Sequence, residues 1–90
     1  MAELLAPKPN AKVAKGRVWL VWNGDECARQ YRVVLRRGSK TAARVHNTVI
    51  YTTRFRTRIL AAGKTFVWRV RSCNEFGCAN TPWRSFSTLE

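Results

Sequence analysis

The feature that most limits how this chain can fold is a repeated alternation of apolar and polar residues with a period of two. RVWLVW at 17–22, QYRVVLRRG at 30–38, TRFRTRIL at 53–60 and KTFVWRVRS at 64–72 all carry it, separated by turn signals such as NGDE, GS and AAGK. Successive side chains of an extended strand point to opposite faces, so each segment can bury one face and leave the other to solvent or a partner. The inward sets are Val18, Leu20 and Trp22, then Tyr31, Val33 and Leu35, then Phe55 and Thr57 with Leu60 closing the strand, then Phe66, Trp68, Val70 and Ser72. Residues 39–50 are weakly patterned, with room for a short edge strand, and a final strand is expected near 83–88. No run long enough for three helical turns shows helical spacing, so the class is all-β and the natural architecture is a sandwich. An OB-type barrel needs a helix between its third and fourth strands, and the spacing leaves no room for one.

Ninety residues, 46% of them hydrophobic and including four Trp and four Phe, supply one core and one domain. Pro7 and Pro9 make residues 1–16 an extended, irregular lead-in, and the domain is expected to occupy 17–90. The lead-in has only a short apolar patch with Glu3 early in it, so it reads as neither a signal peptide nor a membrane span. It would need a neighbour to lie on if it is to be ordered.

The formal net charge is +12, from 17 Lys and Arg against 5 Asp and Glu. Such a chain attracts polyanions and acidic proteins and repels copies of itself. Arginine outnumbers lysine, and arginine contacts partners through planar, multidentate donors more than it merely solvates a surface. Period two places Arg54, Arg56 and Arg58 on one outward face, beside outward Trp19 and Val21, which mixes charge with apolar surface as interfaces do. A second outward face gathers Arg32, Val34 and Arg36 with Val67, Arg69 and Arg71, and Trp83 and Arg84 approach it along the last strand. Guanidinium groups stacked on indole there would contribute about 0.5–2 kcal/mol per contact.

The strand pattern resembles a fibronectin type III domain from about residue 17 to 88. The specific part is Leu60, Gly63, Phe66, Trp68, Val70, Asn74 and Gly77, with Trp22 and Tyr31 on the earlier strands. Ala62-Gly63 stands for the usual Pro-Gly, Phe66 for the usual Tyr, and Ser72 for a small apolar residue. The resemblance implies an immunoglobulin-like antiparallel sandwich of about seven strands and a module without enzymatic activity. Members of that family act in recognition, spacing and assembly in extracellular proteins, receptors, secreted bacterial enzymes and phage particles.

Cys73 and Cys78 sit at the ends of the turn before the last strand, where a hairpin with a four-residue loop brings two Cα atoms to about 5.5 Å, the spacing of a disulfide. Secreted domains resembling this family carry a similar C-N-x-x-G-C turn. Closing so short a loop would contribute only about 2 kcal/mol, so the bond would mainly stiffen the turn. The alternatives are two idle thiols in a reducing compartment, or zinc. Zinc needs four ligands, and only Cys27 and His46 remain to complete a site, neither at ligand spacing. Cys27 reads as a small loop filler.

Enzyme chemistry has little to work with. There is one His, and Asp25 and Glu26, adjacent in sequence, point apart in an extended chain. No catalytic, cofactor or metal site is therefore expected, and no small-molecule substrate. Two readings follow. One is an assembly module whose arginine-rich faces dock on acidic neighbours at a virion or extracellular surface. The other is direct binding of nucleic acid or an anionic polysaccharide.

Overall fold

The alternating segments form two sheets whose inner faces meet at Trp22 and Trp68. A computed structural model describes residues 3–24, 28–38 and 44–90. The first sheet has the order β1 (Glu3–Ala6), β3 (Trp19–Asn23), β6 (Arg54–Arg56). The second runs β2 (Ala11–Val13), β9 (Arg84–Thr88), β7 (Thr65–Asn74), β4 (Gln30–Arg37), β5 (Arg44–Ile50), with β8 (Gly77–Asn80) also on β7. Every pairing is antiparallel except that of β2 with β9. This is an all-β, immunoglobulin-like sandwich. The described residues include no helix, and so none long and apolar enough to cross a membrane.

The nine segments trace seven strand paths. β8 and β9 pair with successive halves of β7 and are two pieces of one strand path, flanked by β2 along β9 only. They part at Thr81, whose N–H donates to Val70 O at 2.9 Å and whose Oγ1 accepts from Val70 N at 3.1 Å. Pro82 follows and has no N–H to continue the ladder. β1 and β2 are likewise one path that changes sheets at residues 7–10, where Asn10 takes φ 60°. Asn tolerates this left-handed conformation better than most residues. Asn10 N–H donates to Ser85 O at 2.8 Å, which tacks the crossing to β9.

The expected inward residues are the core: Leu20, Trp22, Val33, Leu35, Phe66, Trp68 and Val70 are buried, joined by Phe86. Trp22 lies 6.4 Å from Trp68 and edge-on to Tyr31 at 5.8 Å, while Phe66 stacks on Phe86 at 5.6 Å. The indole N–H groups of Trp22 and Trp68 are buried with no acceptor among the described residues, so both rings are held by packing.

Three expectations change, and a fourth gains its bounds. Residues 3–13 are not an irregular lead-in awaiting a neighbour. They pair in both sheets, and Leu4 is buried in the same core as Trp22, its register partner. The edge strand for which the weakly patterned 39–50 region left room is Arg44–Ile50, seven residues long. The strand expected over 53–60 shrinks to Arg54–Arg56. Thr57 keeps the expected inward side and is buried, but its side chain replaces its carbonyl in the pairing: Thr57 N–H donates to Val18 O at 2.9 Å and Val18 N–H to Thr57 Oγ1 at 3.0 Å. The turn carrying the cysteines is a tight hairpin in which Asn74 pairs with Gly77 and only Glu75 and Phe76 remain unpaired.

In that hairpin Cys73 and Cys78 are direct cross-strand partners, and they form a disulfide with Cα atoms 4.1 Å apart. Direct partners sit closer than the ends of an open four-residue loop, which accounts for the shorter spacing. Cys27, Asp25 and Glu26 lie outside the described residues.

Leu4→Ala should lower unfolding stability by about 2–5 kcal/mol in chemical denaturation, as for a core leucine. A loss below about 0.5 kcal/mol would place residues 3–13 outside the cooperative unit. Of the three cysteines, one should react with a thiol reagent in the denatured, unreduced protein, whereas three reactive thiols would eliminate the disulfide.

Candidate interaction surfaces

The arginines that alternation marks as outward divide between the two outer faces of the sandwich. On the first sheet, β3 and β6 pair with Trp19 opposite Arg56 and Val21 opposite Arg54. Directly opposite residues share a face, so Arg54 and Arg56 flank one indole. Their guanidinium carbons lie 5.4 and 5.7 Å from the Trp19 ring centroid. Trp19 is 49% exposed, and Leu5, in the bulge of β1, is exposed nearby on the same sheet. Arg58 is exposed but lies beyond the end of β6, and no stacking joins it to Trp19. The Thr57–Val18 bonds fix β6 against β3 and so hold the two guanidinium groups over the ring.

On the second sheet, the register sets Arg32 opposite Arg71, Val34 opposite Arg69 and Arg36 opposite Val67. Arg69 stacks over Trp83 at 4.5 Å, and Arg32 Nη1 donates to Asn47 Oδ1 at 2.9 Å. The like charges of Arg32 and Arg71, placed directly opposite, repel, and a bound anion would relieve them. Two residues depart from expectation here. Val34, expected to point outward to solvent, is buried. It sits between Arg32 and Arg36 and opposite Arg69, whose long aliphatic stems shield such a position. Arg84 does not join the outer ladder. It pairs opposite Trp68 on the inward face and donates from Nη1 to Pro7 O at 3.3 Å, bracing the N-terminal crossing.

His46, which spacing left without a role, joins the two sheet edges. Its ring meets Phe55 edge-on at 4.9 Å, and its Nε2 accepts the Arg58 backbone N–H at 2.9 Å. Burial, and secondarily the charge of Arg58, hold its pKa below the ordinary 6.5. A neutral Nε2 is the acceptor that the Arg58 N–H requires. Sequence signals could not find this contact, because it joins residues of different sheets.

Clefts offer little chemistry. A groove of about 470 Å³ lies where the N-terminal segment crosses between sheets, lined by Glu3, Pro9, Thr81, Trp83 and Arg84 among others. Among the described residues it holds one carboxylate, with no second acid and no histidine to work with it. Among the described residues no three His, Cys, Asp or Glu side chains gather as a metal site.

No protein-family model matches the chain, and no curated protein sequence does. Solved structures do. The crystal structure of FN3tt aligns at a TM-score of 0.64 and 12% identity, over 98% of this chain and 95% of that one. A fibronectin type III domain of human fibronectin type III domain containing protein 3 aligns at 0.65 and 14%, over 92% and 85%. CopC from Methylosinus trichosporium OB3b aligns at 0.67 and 18%, over 99% and 94%. At these identities the likeness is one of fold. The chain has the fold of a fibronectin type III domain, and that fold also serves proteins with other names.

The His46 contact makes stability depend on pH. A folded pKa below the unfolded 6.5 means that the unfolded chain takes up the proton first, so the contribution is complete above that pH and is lost as pH falls through the folded value. Thermal unfolding should show a declining stability between about pH 6.5 and 5, where few carboxylates titrate. His46→Gln should flatten that slope, and an unchanged slope would assign it to other groups.

Proposed function

We propose that this chain is a non-enzymatic interaction module that docks on an acidic protein neighbour in a larger assembly through the Trp19, Arg54 and Arg56 face. One observation carries the reading: two guanidinium groups are held over a half-exposed tryptophan on a small, otherwise open sheet. Stacking orients the guanidinium planes while leaving their N–H groups for carboxylates, so little side-chain freedom is lost on binding. The indole supplies the apolar anchor that interface hot spots favour. Arg58, just past the strand end, widens the positive surface. The fibronectin type III fold and the Cys73–Cys78 disulfide support an extracellular or virion-surface setting, where thiols oxidise.

A second reading rests on the other face. The Arg32–Arg71 repulsion and the Arg69–Trp83 stack would be served by a nucleic acid or an anionic polysaccharide. Counterion release makes such binding fall by orders of magnitude between about 50 and 200 mM salt.

Arg56→Glu should weaken association with the acidic partner at least about tenfold, roughly 1.4 kcal/mol, with an unchanged circular dichroism spectrum. Unchanged association would remove this face from the contact. Heparin and duplex DNA titrated at about 50 mM salt test the second reading, which fails if neither binds.

A further inference from the structure

We propose that the free edge of β5 is a second docking site, one that accepts an extended acidic peptide as an added strand. β5 is a seven-residue strand at the end of its sheet and, among the described residues, pairs only with β4. Among the described residues no backbone group bonds to it from the other side. Alternate residues of such an edge aim N–H and C=O groups outward, which is the template that strand addition uses.

The charges beside this edge select the occupant. Arg44 is exposed on β5 itself, opposite Arg36. Arg32 belongs to β4, yet its bond to Asn47 carries its guanidinium across to β5. On the other flank, the His46 bond to the Arg58 backbone ties exposed Arg58 to the same strand. A new strand would lie about 4.8 Å from β5, within reach of these side chains. Natural sheets guard their edges with charge, and the described guards, Arg44, Arg32 and Arg58, share one sign. That sign blocks pairing with a second copy of a chain of net charge +12 but favours a strand bearing carboxylates. Outward Val49, half-buried next to Asn47, offers an apolar neighbour for the alternate side chains. A linear polyanion without a peptide backbone could use the arginines but not the open N–H and C=O groups.

The site is separate from the Trp19 face, which lies on the other sheet, and either could exist without the other. The test uses the whole chain and an end-capped eight-residue peptide of alternating Glu and Val. Its partners are the same peptide N-methylated at alternate residues on one edge, and a Lys–Val peptide. Calorimetry should show binding of the Glu–Val peptide, at least about tenfold weaker binding of the N-methylated form, and none of the Lys–Val form. Backbone NMR should place the shifts and slowed amide exchange at residues 44–50, and Arg44→Glu should weaken binding with the fold retained. Equal binding of the N-methylated peptide would reduce the interaction to charge alone and overturn strand addition. Absence of binding at low salt, or shifts confined to Trp19 and residues 54–56, would overturn the site itself.

Discussion

The contact between Trp22 and Trp68 is what the rest of the molecule depends on. One ring comes from the centre of the first sheet and the other from a central strand of the second. Neither finds a hydrogen-bond partner for its indole N–H among the described residues, so apolar burial alone must exceed that cost. Two aromatic rings of this size bury 150–250 Å² each, enough to dominate the core of a small domain. A 90-residue domain has little surplus stability, and the remaining elements close over this pair: Leu4 and Tyr31 beside Trp22, Phe86 and Phe66 at the β9 end.

Because the inner faces hold Trp22, Trp68, Phe66 and Phe86 as the core, the outer faces are free to carry charge. Arginine occupies both of them, but in different ways. On the first sheet the guanidinium groups stack on an exposed indole. On the second they crowd one another, with one stacked on Trp83 and one tied to Asn47. Arg84 is the exception, drawn inward by its register with Trp68 and used to brace the N-terminal crossing. A net charge of +12 disfavours self-association and leaves acidic neighbours as the natural partners.

Much of the fold could be read from alternation. The inward residues of the segments at 17–22, 30–38 and 64–72 are buried as expected, because period two states which side chains share a face whatever the sheet. The stacking of Arg54 and Arg56 beside Trp19 was partly legible, since both segments marked these residues as outward. Alternation gave the inward side of Thr57 but not the strand ends, which side-chain bonds set. Thr57 ends β6 by bonding with Val18, and Thr81 splits the last strand by bonding with Val70. The N-terminal segment looked irregular because its two short strands belong to different sheets, so neither is long enough to show a pattern.

The sequence by itself determined the class of the fold, the core residues and the excess of outward arginine, since strand geometry converts a linear pattern directly into two faces. The tertiary structure decided which strands are neighbours, and therefore that Trp19 meets two arginines, that His46 of one sheet holds the backbone beside β6 of the other, and that β5 is left as an open edge. These are contacts between residues distant in sequence. They follow from sheet order and register, which alternation along a single strand does not encode.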